Sequence, residues 1–304
     1  MGERLDCLVI GGGPAGLTAA IYLARFHLKI CVIDAGDGRC ATIPRTHNHA
    51  GYPGGIAGAE LLERMRAQAG EFGVRLARGT VTLLERDGDD FLARHGQDMT
   101  RARSVLLATG VINRRPQMDE TEHDTALARG LLRYCPICDG YEATDQRIAV
   151  IGTSDHGMRE ALFLRGYSRD VTLISPHGAH DLDAECRKAL DDAGIEAIDG
   201  PCGALSIDGD TIAIPLPGGA RRFDTAYPAL GSDIRSQLGA GIGADCSDVG
   251  CLKVDSHQRT SVPGLYAAGD VVLGLDQISN AMGQAGIAAT TIRNDLAERA
   301  PIRR

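Results

Sequence analysis

Residues 5–26 read LDCLVIGGGPAGLTAAIYLARF, and this stretch decides the fold. An apolar run ending in Leu8, Val9 and Ile10 predicts a buried strand. Gly11-x-Gly13-x-x-Gly16 follows at once, and apolar residues then recur at helical spacing. A second apolar run, KICVID, closes on Asp34, eighteen residues past Gly16. Glycines at a strand–helix turn let backbone N–H groups approach a pyrophosphate, which then sits in the positive field of the helix N-terminus. An acid closing the next strand is placed to bind a ribose hydroxyl. A bare G-x-G-x-x-G is weak, because glycine-rich turns are common. Strand, glycines, helix and acid in this order predict a dinucleotide site.

The unit recurs, altered, as RIAVIGTSDHGMREALFLRGY over 147–167, with a strand-like DVTLIS at 170–175. Gly152 and Gly157 remain, but Ser154 holds the middle position, where a Cβ pushes the backbone away from a pyrophosphate. The following strand ends in Ser175, then Pro176, His177 and Gly178, with no acid for a ribose diol and no arginine for a 2′-phosphate. The second unit therefore reads equally as a nicotinamide site or as a scaffold that has lost one. Two such units make an α/β chain, and 304 residues accommodate two domains of roughly 150 each.

A net charge of −8 with scattered arginines argues against a nucleic-acid or anionic-membrane surface. No apolar run reaches the roughly 18 residues of a membrane span. The opening MGERLDCLVIGGG passes straight into a strand pattern, so no signal peptide is expected. Nine dispersed cysteines do not resemble a secreted disulfide scaffold, and the expected location is the reducing cytoplasm. In that compartment CPICDG, at 135–140, is more readily catalytic or metal-binding than structural.

Two further segments matter. VLLATG (105–110) predicts a strand ending in a small-residue turn, and VPGLYAAGD (262–270) a strand closing on Gly269-Asp270. A small-residue helix pattern then runs from about Gln277 to Ala297. An acid at that strand end can bind a polyol or ribityl chain, and the helix N-terminus stabilises anionic charge above the sheet. Standing alone, these segments would read as a surface aspartate capping a helix.

Taken in order, GGGPAG, ATG, CPICDG, the second Rossmann unit and AAGD with its alanine-rich helix resemble the low-molecular-weight thioredoxin reductase family of flavoproteins, over nearly the whole chain. The resemblance implies two Rossmann-like dinucleotide-binding domains, the second inserted into the first. The FAD domain would comprise 1–112 and 244–304, and an NAD(P)-binding-like domain carrying the CxxC would occupy 113–243. It also implies homodimers. FAD would contact Gly11, Gly13, Gly16, Asp34, Asp270 and the start of the last helix at Gln277 and Ile278. Asn48 is a further candidate, in the loop GRCATIPRTHNHAGYPG (38–54) that would wrap the flavin. Cys40 in that loop departs from the family pattern and reads as a buried spectator thiol.

For the CxxC itself, zinc needs four ligands in tetrahedral array. There is no second C-x-x-C and no H-x-x-x-H, and Cys246 and Cys251 are poorly spaced and fall in the other expected domain. That leaves a redox pair. By the resemblance, Cys138 faces the flavin, Cys135 attacks the substrate disulfide and Asp139 carries the proton; a turn aspartate before Gly140 is the alternative for Asp139. The family usually takes electrons from NADPH, through a second G-x-G-x-x-A and a basic cluster after the next strand. Here GTSDHG and SPHG replace both. Each lost guanidinium–phosphate bond removes about 1.5–3 kcal/mol, at least tenfold in affinity. NADPH is therefore expected to be a poor reductant, with ferredoxin or another carrier as donor. The expected activity is FAD-dependent reduction of a disulfide in a thioredoxin-like protein or a small molecule. Two alternatives stay open: an oxygen-using dithiol oxidase, and a non-enzymatic flavin redox sensor.

Overall fold

The computed structural model describes residues 3–302. They divide into two compact units: the first holds the chain up to Arg45, His49–Ile112 and the chain from Asp233 on, and the second holds Thr46–Asn48 and Asn113–Ser232.

In the first unit β1 (Leu5–Ile10) turns into α1 (Pro14–Arg25), and β2 (Ile30–Asp34) returns parallel beside β1. After α2 (Gly58–Glu71) and β3 (Arg75–Arg78) comes an antiparallel meander of β4 (Val81–Asp87), β5 (Asp90–His95) and β6 (Asp98–Leu107). The chain leaves through β7 (Val111–Asn113). The second unit contributes α3 (Glu120–Ala128), the short α4 (Pro136–Asp139), β8 (Ile148–Ile151), α5 (Ser154–Leu164) and β9 (Val171–Ile174). It continues with α6 (Ala184–Ala193), β10 (Glu196–Ile198), β11 (Ser206–Asp208), β12 (Thr211–Ile214), β13 (Arg221–Phe223) and β14 (Thr225–Pro228). The return passage, β15 (Ser232–Ile234), pairs with β7. The chain ends through α7 (Gln237–Gly241), β16 (Leu265–Ala267) and α8 (Ile278–Arg299).

The first unit is a seven-stranded sheet ordered β3-β2-β1-β6-β5-β4, with β16 also on β6. Strand β6 pairs with β1 along one edge and is long enough to serve two neighbours along the other: its first half pairs antiparallel with β5, and Val105–Leu107 pair parallel with β16. The central strands are covered on both faces, which is why they read as unbroken apolar runs rather than alternations. Cys7, Val9, Val32 and Leu106 pack with α1 and α8 in one layer; Leu8, Ile10, Cys31, Ile33 and Leu107 form the other. The alanine-rich α8 is explained here. Ala281, Ala285, Ala288 and Ala289 pack with Ala15, Ala19 and Ala20 of α1, small side chains that let the two helices approach closely.

The second unit repeats the theme with a four-stranded parallel sheet, β10-β9-β8-β14, beside a three-stranded antiparallel one, β11-β12-β13. Pro228 sits in β14, an edge strand, where its missing N–H costs no ladder bond. Both strand–glycine–helix units form as the sequence predicts. Among the described residues, no helix is long and apolar enough to cross a membrane.

Candidate functional site

The three glycines of the G-x-G-x-x-G motif do three different things. Gly11 has φ +107°, and a Cβ there would collide with Ala108 O. A Cβ on Gly16 would land on the Gly11 carbonyl, because α1 crosses so close to the turn. Gly13 differs: its φ of −78° and ψ of −173° suit any residue, and a Cβ there meets nothing within 4 Å. The protein itself does not require glycine at that position; an object placed in the open space would. That space lies at the N-terminus of the 12-residue α1, where the helix field favours an anion. Asp34, at the end of β2, accepts the N–H groups of Gly12 and Gly36 on Oδ1, both at 3.1 Å. Arg66 Nη2 stands 3.7 Å from its Oδ2.

Asp270 follows β16 as expected, but its company was not legible in the sequence. Arg39 Nη1 lies 3.3 Å from Asp270 Oδ2 and 2.9 Å from Asp276 Oδ2, so one guanidinium serves two carboxylates. Burial first, and Asp276 second, push the Asp270 carboxyl from an ordinary 3.8 up to about 6, against the pull of Arg39. A carboxyl raised on folding contributes stability that is fully present below pH 4 and lost as pH rises through about 6. In the cofactor-free protein Asp270→Asn is therefore expected to melt level with wild type near pH 3.5 and a few degrees above it near pH 7.5. A variant less stable than wild type at both values would show the ionised carboxylate to be stabilising instead. Gln284, also missed by motif reading, accepts the Gly269 N–H on Oε1 at 2.8 Å and so fixes the turn that carries Asp270.

Gln277 is the N-cap of the 22-residue α8, and Ile278 opens it, packed against the cluster of Leu17, Cys40, Ile56 and Leu61. Cys40 is 6% exposed and burial pushes its thiol up to about 12, so it carries no thiolate near neutral pH. Asn48 groups with the second unit: its Nδ2 donates to Ile137 O at 3.3 Å, and Thr46 Oγ1 donates to its Oδ1 at 3.0 Å. His49 Nδ1 is buried with no partner, polar capacity left unmatched in the same loop. An open cradle at a helix N-terminus, an acid at each of two strand ends and the start of a long helix suit the pyrophosphate, ribose and polyol of a flavin dinucleotide. The residues present fit FAD.

In the second unit Cys135 and Cys138 are joined as a disulfide across α4. Cys135 is the N-cap of that turn, and its Sγ accepts the Cys138 N–H at 3.2 Å. Asp139 closes the turn, with its N–H on Cys135 O at 3.2 Å. Two residues that no motif announces hold its carboxyl. Tyr227 OH lies 3.0 Å from Oδ1, and Arg133 Nη1 lies 3.3 Å from Oδ2. Burial raises this carboxyl above the ordinary range, while Arg133 and Tyr227 pull it back. The two histidines closest in sequence are engaged elsewhere: His123 Nε2 bonds Tyr134 OH at 2.9 Å, and His156 Nε2 lies 3.3 Å from Glu160.

The second glycine turn keeps its packing and changes its front. Cβ atoms on Gly152 or Gly157 would crowd Ala229 and the opposing glycine, so close strand–helix contact is retained. Ser154, in the middle position, takes φ +54°, a left-handed conformation that costs a non-glycine residue about 1 kcal/mol. After β9 the chain folds back on this turn: Thr153 Oγ1 accepts the Asp181 N–H at 2.9 Å and lies 3.3 Å from His180 Nδ1.

The pattern of the pyridine nucleotide-disulphide oxidoreductase family matches residues 5–285. The chain is 33% identical to a thioredoxin reductase of Mycolicibacterium smegmatis over 281 residues, 88% of each chain. It is 31% identical to one from Streptomyces coelicolor over 298 residues, 90% of this chain and 87% of the other. The crystal structure of thioredoxin reductase from Streptococcus pyogenes MGAS5005 is similar with a TM-score of 0.88 at 26% identity, covering 97% of this chain and 99% of that one. The chain belongs to the pyridine nucleotide-disulphide oxidoreductases and is a flavin-dependent disulfide oxidoreductase of the low-molecular-weight thioredoxin-reductase type.

Proposed function

We propose that this enzyme reduces the disulfide of a thioredoxin-like protein or of a small molecule through Cys135 and Cys138, drawing electrons from a donor other than NADPH. One observation carries the choice of donor. The segment after β9, SPHGAHDLD (175–183), contains no lysine or arginine, and its Asp181 N–H is held on Thr153 of the glycine turn. The segment thus offers no cation of its own where a 2′-phosphate would need one, and the Arg187 guanidinium beside it is turned onto His180 O at 3.4 Å.

FAD, when bound, supplies a two-electron reservoir. Gly13 would leave room for its pyrophosphate, Asp34 would accept from its ribose, and Asp270 from its polyol. Gln277 and Ile278 would set the α8 N-terminus against it, and Asn48 would hold the loop. In the second unit the Cys138 N–H on Cys135 Sγ favours charge on that sulfur once the bond opens, which suits Cys135 to attack a substrate disulfide. Asp139 then holds or gives the proton that the sulfurs exchange. By likeness to the family, the reading also includes a homodimer in the reducing cytoplasm.

The test is anaerobic titration of the FAD-loaded protein with NADPH, NADH and reduced ferredoxin, following loss of flavin absorbance, then addition of a disulfide. Ferredoxin is expected to bleach the flavin and the disulfide to restore its colour, while NADPH acts slowly. Rapid bleaching by NADPH at micromolar concentration would defeat the donor assignment, and no recovery with any disulfide would defeat the reductase reading.

A further inference from the structure

We propose that Arg133 and Tyr227 are positioning residues that clamp the Asp139 carboxyl, one on each oxygen, and so set the pH range over which it passes a proton to the Cys135–Cys138 pair. The proposal rests on the reading of Asp139 as proton carrier given above.

The clamp is built from three separate parts of the second unit. Tyr227 belongs to β14, is fully buried, and reaches Asp139 across 88 residues of sequence. Its hydroxyl also stands 3.2 Å from the Asp139 carbonyl, so it fixes backbone and side chain together. Arg133 precedes the first cysteine by two residues, and its guanidinium is steered by a 3.1 Å bond from Nε to Gly130 O. With Oδ1 on Tyr227 and Oδ2 on Arg133, the carboxyl cannot rotate without breaking one of these contacts. Asp139 is itself tied to the disulfide through its N–H on Cys135 O. The clamp therefore fixes the proton carrier relative to the sulfurs.

Both contacts favour the carboxylate over the acid, because Tyr227 donates a hydrogen bond and Arg133 is a cation. Burial opposes them, and so does Glu142 from the neighbouring turn. The ionisable residues of α5, which packs against α4, pair among themselves: Arg159 with Asp155, and His156 with Glu160. Tyr167 faces the next residue, Gly140. The opposed influences leave Asp139 able both to give a proton and to regain one.

The proton balance needs that poise. Opening the S–S bond takes one electron pair, supplied by the reduced cofactor, and leaves two thiolates that need two protons to become the dithiol. Protonated Asp139 gives one of them and becomes a carboxylate held by Tyr227 and Arg133. The proton that a reduced flavin would lose in giving up the pair meets the other, and water recharges Asp139.

The test is an infrared titration of the Asp139 carboxyl in the oxidised, FAD-loaded protein, the band being identified by its loss in Asp139→Asn. Removing one hydrogen bond to the charged form in Tyr227→Phe is expected to raise the titration midpoint by about one pH unit. Arg133→Gln should move it the same way, and Arg133→Lys should recover part of the difference. A parallel assay mixes dithionite-reduced protein with a chromogenic aryl disulfide across pH. In that assay the dithiol gives up protons and Asp139 must be ionised to take one, so the acid limb of the rate should move up with the infrared midpoint in Tyr227→Phe, and should be absent with or without that substitution in Asp139→Asn. A midpoint unmoved in folded Tyr227→Phe and Arg133→Gln proteins would overturn the clamp. If the midpoint moves but wild type reduces no disulfide, the clamp stands and the reductase reading fails. If disulfide is reduced with an unmoved limb, the clamp alone fails.

Discussion

Cys135→Ser and Cys138→Ser proteins are expected to fold and bind FAD, yet to lose disulfide turnover by on the order of a thousandfold or more. The reason is stoichiometric rather than geometric. Thiol–disulfide exchange needs one sulfur to attack the partner and a second to resolve the mixed disulfide, and a serine oxygen can do neither. The fold is not at stake to the same degree. The bridge closes a loop of only four residues, so its constraint on the unfolded chain is worth at most about 2 kcal/mol. Asn48 apart, the residues that would hold FAD lie in the other unit, and none of them is a cysteine. Turnover should therefore collapse while flavin content stays at one per chain and the thermal midpoint moves by a few degrees. The two variants should differ in one respect. Cys138→Ser keeps the sulfur assigned to attack and should trap a disulfide substrate as a stable mixed disulfide visible by mass; Cys135→Ser should not. Retention of a tenth of wild-type turnover in either variant, with the substrate reduced to its dithiol, would remove the pair from the reaction path.

What the sequence made legible is what is local. A turn of six residues such as GGGPAG carries its own conformational demands, so Gly11 and Gly16 declare themselves through spacing, and the apolar runs on either side declare the strands. The same holds for CPICDG, where the two sulfurs and the acid lie within five residues. The side chains that decide the electrostatics are not local. Arg39 reaches Asp270 across 231 positions and Tyr227 reaches Asp139 across 88, because sheet order rather than chain order makes them neighbours. No periodicity encodes such a meeting. The second glycine turn shows a subtler limit. The sequence puts a Cβ at Ser154 where the motif has glycine, but the left-handed φ this residue adopts is visible only in the folded chain. The backbone there takes a conformation in which glycine would be at ease, whereas Gly13, its counterpart in the first turn, is extended.

The first turn offers a sharper use of that distinction, because its glycines separate folding from binding. Gly16→Ala is expected to cost stability outright: the new Cβ would fall on the Gly11 carbonyl, a backbone atom held between β1 and α1 that cannot move aside as a side chain would. Forcing the helix off the strand strains the alanine packing of α1 on α8 as well, and a loss of about 3 kcal/mol or more is expected, the scale of overpacking in a rigid core. Gly13→Val should do the opposite. Its backbone is already extended at φ −78° and ψ −173°, and no atom lies within 4 Å of the new Cβ, so the cofactor-free protein should melt as wild type does. The side chain instead fills the space before α1. If a pyrophosphate belongs there, it is pushed away from the backbone N–H groups, and losing two charge-assisted bonds of about 1.5–3 kcal/mol each weakens FAD by two to four decades. Thermal melts of the apoproteins, with fluorescence titration by FAD, read the two effects separately. A Gly13→Val protein that binds FAD as tightly as wild type would place the pyrophosphate elsewhere. A Gly16→Ala protein as stable as wild type would mean that the helix has room to withdraw. The expected crossing of outcomes, stability lost without a ligand in one variant and binding lost without instability in the other, is a signature that a merely tight turn would not produce.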